Sequence, residues 1–205
     1  MIFLLRFAKV FEQTYTRFLD LQKAEAQARE SQIQLALERV RARTMAMQKS
    51  DELPEVTNTI YERLQELKVE MDLANLCTFI EGSKDYHVWA NGLSKPVRIA
   101  FNDFTRVQRI YNEVLERRAE LFTHTFSGEM RDEYYHFLLE QTDFGLNLPE
   151  AQKQHLWASE FNTASLAFTK NTGIQLVRLS NKAFSTEDNE ILKRIVKVFE
   201  QATPL

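Results

Sequence analysis

Residues 163–201 read TASLAFTKNTGIQLVRLSNKAFSTEDNEILKRIVKVFEQ, and the rest of the chain can be read outward from them. Thr163 to Thr169 and Ile174 to Leu179 are short, rich in β-branched and small apolar residues, and bounded by polar ones. Asn171-Thr172-Gly173 between them has the composition of a hairpin turn, so two antiparallel strands are expected. Ser185 followed by Asp188 is a capping-box pair: the hydroxyl caps the first helical turn and the carboxylate reaches back. A helix is therefore expected from Ser185 to about Gln201. A hairpin leading directly into a capped amphipathic helix points to an antiparallel sheet with a helix on one face, an α+β arrangement.

The end of this stretch occurs twice. Arg194-Ile-Val-Lys-Val-Phe-Glu-Gln201 aligns with Arg6-Phe-Ala-Lys-Val-Phe-Glu-Gln13, with six of eight positions identical. The N-terminal segment then reads as a copy of the last helix of a unit like this one, and the chain as one period of a tandem array. Convergence of two amphipathic helices is the other explanation. From Phe3 to about Lys49 there is no Gly or Pro, and good helix formers dominate. Such a helix spans roughly 70 Å at about 1.5 Å per residue. Leu4, Phe7, Phe11, Phe18 and Leu21 form one heptad-like stripe. Ile33, Leu37, Val40, Thr44 and Met47 form another, out of phase with the first, so the seam shifts between about Ala28 and Ile33. A parallel dimer would hide both stripes; folding back onto the globular part is the alternative. Residues 1–49 are thus expected as a long coiled-coil helix and 50–205 as the globular domain.

Between these ends the pattern is mixed. Ser50-Asp51 and Pro54 open a helix with the stripe Val56, Ile60, Leu64 and Leu67. Strands are expected at Asn75 to Glu81, Tyr86 to Asn91, Val97 to Phe101 and Glu120 to Phe126. Helices are expected at Arg106 to Arg118, Ser127 to about Gln141, and Pro149 to about Trp157, with Gly145 to Leu148 as a loop. The sum is a central six-stranded antiparallel sheet with helices on both faces.

Composition excludes several functions. The chain has 205 residues, 44% hydrophobic and 27% charged, enough for one core of roughly 150 residues. The net charge of −3 argues against a broad nucleic-acid surface. Arg39, Arg41 and Arg43 read as solvated flanks of the helical seam. The single cysteine, Cys77, permits no disulfide framework and no zinc ribbon. It sits inside an expected strand as a small buried hydrophobe. The five glycines are scattered, so neither a P-loop nor a dinucleotide turn is present. His87, His124, His136 and His155 lie in different elements without metal-ligand spacing, and no metal or cofactor site is expected. Tyr134-Tyr135-His136-Phe137 is not a phosphoacceptor context. No nucleophile–base pair is found, so no enzyme activity is expected. Met1-Ile2-Phe3-Leu4-Leu5 is too short to span a bilayer before Arg6, so a cytoplasmic protein without membrane insertion is expected.

The run Asn181-Lys182-Ala183-Phe184-Ser185-Thr186-Glu187-Asp188 resembles the Asn-Lys…Phe-x-x-x-Asp-Glu pattern that closes many GAF domains. Asn189 stands where that pattern has its final acid, and the spacer between Lys182 and Phe184 is short. Residues 38–50 are similar to linkers joining GAF-type units in bacterial sensor histidine kinases. The resemblance implies a GAF-like fold and a Lys182–Asp188 pair across the strand-to-helix corner. It also implies a non-catalytic sensory module with a linked output domain, or a ligand-free spacer in a tandem array. In such folds the sheet face under the inserted helices holds the ligand, if one is bound. With 15 Phe and six Tyr in the chain, that face is expected to be aromatic. The candidate lining is Trp89, Arg98, Tyr111, His124, Tyr135 and Trp157, which would suit a small planar ligand. The same residues would equally fill a dry core.

Overall fold

A computed structural model describes residues 2–117 and 119–203, with side chains from Val10 onward. The chain divides into two units, residues 1–36 and 37–205, and the division falls inside the first helix, α1 (Ile2–Ala46).

In the first unit α1 is uninterrupted, as its Ala, Gln, Glu and Arg content dictates. The side chains of Leu4 and Phe7 lie outside the described residues. Of the first stripe, Phe11, Phe18 and Leu21 are 52–63% exposed, and Val10 and Tyr15 lie open beside them. Ile33 is buried.

In the second unit six strands form one antiparallel sheet. They are β1 (Leu73–Phe79), β2 (Tyr86–Ala90), β3 (Val97–Ile99), β4 (Leu121–Ser127), β5 (Phe161–Phe168) and β6 (Thr172–Arg178), in the spatial order β3-β2-β1-β6-β5-β4. Both central strands are covered on both faces, so β6 is buried along almost its whole length. On one face lie α2 (Leu53–Glu66) against β1 and β2, and α7 (Thr186–Ala202) against β5 and β6. Val56, Ile60 and Leu64 of α2, and Ile191, Leu192, Ile195, Val196 and Phe199 of α7, are buried there. On the other face lie α3 (Arg106–Arg117), α4 (Gly128–Glu140), α5 (Asp143–Asn147) and α6 (Glu150–Ala158). The α+β architecture expected from the sequence is therefore present, with helices on both faces of a six-stranded antiparallel sheet.

Several expectations need correction. The end of α1 is not an open seam: Leu37, Val40, Thr44 and Met47 are buried within the second unit, with Val40 fully enclosed. Arg39 keeps about half of its side chain in solvent, whereas Arg43 is largely covered. They pair with carboxylates of α2 and the 3-10 turn before it, Arg39 with Glu66 at 3.2 Å, and Arg43 with Glu55 at 2.5 Å and Glu52 at 3.3 Å. Only Arg41 stays on its own helix, with Glu38. Arg118, the expected last residue of α3, lies outside the described residues. The β5–β6 turn sits earlier than expected: Thr169 N–H donates to the Thr172 carbonyl, so Thr172 and Gly173 already belong to β6. Glu200 of α7 fixes this hairpin, accepting from the hydroxyls of Thr169 and Thr172 and from the Asn171 amide, each at 2.9 Å.

The segment expected as a loop at Gly145 to Leu148 lies largely in α5, a short helix capped by Thr142, whose hydroxyl accepts from Phe144 N–H. Gly145 is required there by close approach rather than by turn geometry. A Cβ at 145 would lie 1.8 Å from the carbonyl oxygen of Leu139 in α4. Gly145→Ala must push α5 off α4, and overpacking of this kind costs about 1–3 kcal/mol. A thermal melt of that variant should show a clearly lowered midpoint. An unchanged midpoint would mean that α5 does not hold this position.

Candidate functional site

Alternation along the strands builds the site. Leu73, Asn75, Cys77 and Phe79 of β1 point to one face, as do Tyr86 and Val88 of β2 and Gln175 and Val177 of β6. Tyr111 of α3 and Tyr134, Tyr135 and Leu138 of α4 close over them. Between sheet and helices remains a cavity of about 70 Å³. An engineered apolar cavity of about 150 Å³ holds benzene, so this one is about half that size. Its lid is held by Arg106 of α3, which donates to Glu133 of α4 at 2.9 and 3.1 Å and to Glu129 at 3.0 Å.

The cavity wall contains no ionisable side chain other than tyrosines and Cys77. Burial holds the hydroxyls of Tyr86, Tyr111, Tyr134 and Tyr135 above the usual phenol range, and it pushes the Cys77 thiol up to about 12. All five are neutral at any ordinary pH. A chain of hydrogen bonds crosses the wall: Asn75 Nδ2 donates to Gln175 Oε1 at 2.9 Å, and Gln175 Nε2 to the Tyr111 hydroxyl at 3.0 Å. Farther along β5, Asn162 Nδ2 donates to the Tyr135 hydroxyl at 3.1 Å. The amide oxygens of Asn75 and Asn162 have no partner, although the two residues are only 8% and 5% exposed. Buried acceptors left open in this way are uncommon in folded proteins.

A second, open groove adjoins the cavity. Phe79, Leu115 and Phe168 line both spaces, and Lys84, Phe101, Glu116 and Glu120 line the outer one. Lys84 lies across its rim, paired with Glu116 at 2.9 Å and placed over the Phe101 ring.

Of the six residues expected to line a pocket, the structure places Tyr111 and Tyr135 on the cavity wall and the other four elsewhere. Trp89 has the wrong strand parity: it faces the α2 side and donates to Thr78 Oγ1 at 3.2 Å. Arg98 is exposed and grips Asp85 on the β1–β2 turn. His124 is held on β4 between Phe122 and Phe126, with ring centroids 6.0 and 4.4 Å away, and burial lowers its pKa. Trp157 stands behind Tyr135, edge to face at 5.6 Å. Sequence reading missed Asn75, Gln175 and Asn162. Their one signal was an amide residue at a strand position whose parity places it among core-facing apolar ones.

The strand-to-helix corner also differs from expectation. Lys182 does not pair with Asp188. Its ammonium reaches Glu70 Oε2 at 2.5 Å, while Asp188 is occupied by the capping box, accepting from Ser185 N–H at 2.9 Å. The carboxylate is already satisfied at the helix start, where the dipole favours it. Asn181 is exposed. The corner is held instead by Arg178, 6% exposed, which donates to the carbonyls of Glu70, Lys182 and Ala183 and lies 4.3 Å over the buried ring of Phe184. Asn189, the departure from the expected acid, accepts from Ser165 Oγ of β5 at 2.6 Å.

Among the described residues no group of three His, Cys, Asp or Glu side chains is placed to hold a metal ion. No helix among them is long and apolar enough to cross a membrane.

The fold and site define an α+β domain with a small, uncharged cavity under inserted helices. No protein-family model matches the sequence, and no curated protein does. Solved structures similar to this chain include the GAF domain of a two-component sensor histidine kinase from Bacillus halodurans. The likeness has a TM-score of 0.42 and 12% identity, over 76% of this chain and 96% of that one. The phycoerythrobilin-bound GAF domain from a cyanobacterial phytochrome is also similar, with a TM-score of 0.46 and 13% identity, over 85% and 92%.

Two tests follow from the corner and the lid. Arg178→Ala removes a buried guanidinium that donates to three carbonyls and should cost on the order of 3 kcal/mol, whereas Lys182→Ala removes an exposed pair and should cost under about 1 kcal/mol. Denaturant titration of both variants distinguishes this from a corner held by Lys182. For pH, Glu70 is held below the usual carboxylate range by Lys182, Asp85 by the Phe101 N–H and Arg98, and Glu133 by Arg106. A depressed folded-state pKa gives stability that is full above the unfolded value and is lost as pH falls through the folded one. Melting temperature should therefore hold from neutral pH to about pH 5 and decline below about pH 4.

Proposed function

We propose that this chain is a non-catalytic, GAF-like sensory module of bacterial signal transduction. In this reading it works in the cytoplasm without nucleic acid, as a homodimer. Occupancy by a small molecule or a partner on the cavity side is passed to a linked output domain, such as a histidine kinase or nucleotide cyclase, which carries any catalysis. One observation supports this most directly. The central strands face the cavity with one set of side chains and the terminal helix with the next: Asn75, Gln175 and Val177 point inward, while Ile174 and Leu176 are buried on the face that α7 covers. A change in the cavity that shifts β6 by even a fraction of an ångström must be met by α7, because packed interfaces transmit strain.

The exposed stripe of α1 supports the dimer. Phe11, Phe18 and Leu21 at heptad-like spacing form the surface a parallel partner helix would cover. Since Leu37, Val40 and Met47 are already buried within the second unit, the seam would be confined to the first stripe.

A second reading, a spacer that dimerises without a ligand, is favoured by the small volume of the cavity. Both readings share the dimer. Light scattering on the full chain should give twice the chain mass, and Phe11→Glu with Phe18→Glu should halve it while circular dichroism retains the folded signal. A monomeric wild-type chain would refute the seam.

A further inference from the structure

The chemistry of the cavity says what kind of molecule it takes, and this step rests on the sensory reading above. Three features converge on the β1–β6 side of the cavity. Asn75 is buried, lines the space and has an amide oxygen without a partner. No described residue accepts from the hydroxyl of Tyr134. The ring of Tyr134 lies 5.9 Å from that of Tyr111, edge to face. The Asn75–Gln175–Tyr111 hydrogen-bond chain links the open acceptor to this ring pair, so the acceptor and the open donor of Tyr134 share one uncharged space. No carboxylate, ammonium, guanidinium or imidazole contributes to that wall.

We propose that this cavity binds an uncharged polar molecule of about three to five non-hydrogen atoms, with an N–H or O–H donor for Asn75 Oδ1 and an oxygen acceptor for the Tyr134 hydroxyl. The size follows from the volume of about 70 Å³. Neutrality follows from the wall, because an ion transferred into it would lose its hydration and gain no counter-charge. Nucleotide phosphates and carboxylate-bearing pigments are excluded on both counts. Reversing the Asn75–Gln175–Tyr111 hydrogen-bond chain would turn the open oxygen of Asn75 into an open N–H and leave the site equally uncharged, so a primary amide suits either direction. Asn162 belongs to a different end. It lies four residues along β5 from Leu166, the residue level with Gln175, or roughly 13 Å at about 3.3 Å per residue. A molecule of this size reaches only one of the two open acceptors. Phe79, Leu115 and Phe168, shared with the outer groove, mark the way in.

Acetamide and acetate have the same shape and differ in charge, which makes them the deciding pair. The full chain, labelled with nitrogen-15, is titrated with each while the side-chain amide signals of Asn75, Gln175 and Asn162 are followed by NMR. Acetamide should shift the Asn75 and Gln175 signals saturably and leave Asn162 unmoved, and acetate should act at least tenfold more weakly. Tyr134→Phe removes one open hydroxyl without touching a hydrogen bond. It should weaken acetamide several-fold while the melting temperature stays level or rises. Asn75→Leu should abolish the Gln175 response. Non-saturable shifts with acetamide, equal shifts with acetate, or an unaltered response in Tyr134→Phe would each overturn the proposal and leave the cavity to ordered water. Saturation by acetamide with no change in the α7 signals would sink the sensory reading and leave this one standing.

Discussion

The pairing of β1 with β6 carries the rest of the second unit. Leu73 to Thr78 lie against Thr172 to Val177, so segments about a hundred residues apart in the chain are joined edge to edge. Closing a loop of that length costs entropy, though the cost rises only with the logarithm of length. The return is a pair of strands buried on both faces, with Leu76, Ile174 and Leu176 almost wholly enclosed. Everything between them, four further strands and four helices, is an insertion that must pack onto this pair. Arg178 at the end of β6 then secures both sides of the closure. It holds the carbonyl of Glu70 before β1 and those of Lys182 and Ala183 after β6.

A sheet closed in this way has two unlike faces. The face under α2 and α7 is filled mainly by aliphatic side chains, with Trp89 and Phe199 among them. The opposite face carries Asn75, Gln175 and Asn162 among aromatic rings, and leaves two amide oxygens without partners. A core built only for stability would place Leu or Val at these positions, because an unsatisfied buried carbonyl costs about 1–3 kcal/mol. Such departures from local consistency are expected where a site is kept for something other than stability. The asymmetry between the faces gives the proposed sensing route its direction, from the amide-bearing face through β1 and β6 to the helix beyond.

Much of this was legible in the sequence, for identifiable reasons. The capping box at Ser185 and Asp188, the apolar stripe of α2 and the six strands all follow from local patterns of one or two turns, and local patterns survive folding. What was not legible depended on distant partners. Lys182 chooses between Asp188, six residues away, and Glu70, more than a hundred away, and only the closed sheet brings Glu70 near. Trp89 and Trp157 were expected in the pocket for their size. Parity along β2 sends Trp89 to the far face, and Tyr135 stands between Trp157 and the cavity. Gly145 looked like a loop glycine, because a close helix–helix approach leaves no signal in its neighbours.

The repeat adds a constraint of its own. In α7 the shared residues have defined tasks: Lys197 pairs with Glu120 at 2.6 Å, Glu200 grips the β5–β6 hairpin, and Val198 and Phe199 are buried. Their counterparts Val10 and Phe11 in α1 are about 60% exposed. The same sequence thus meets two environments in one chain, covered where a sheet is present and bare where none is. A helix face shaped for a sheet but left open to solvent is a face awaiting a partner, because apolar area of this kind is driven out of water at about 25 cal/mol per Å². A parallel helix from a second copy and the sheet of a neighbouring unit would both cover it. They differ in what Lys9 and Glu12 would meet: solvent beside a helical seam, or the equivalents of Glu120 and the β5–β6 hairpin.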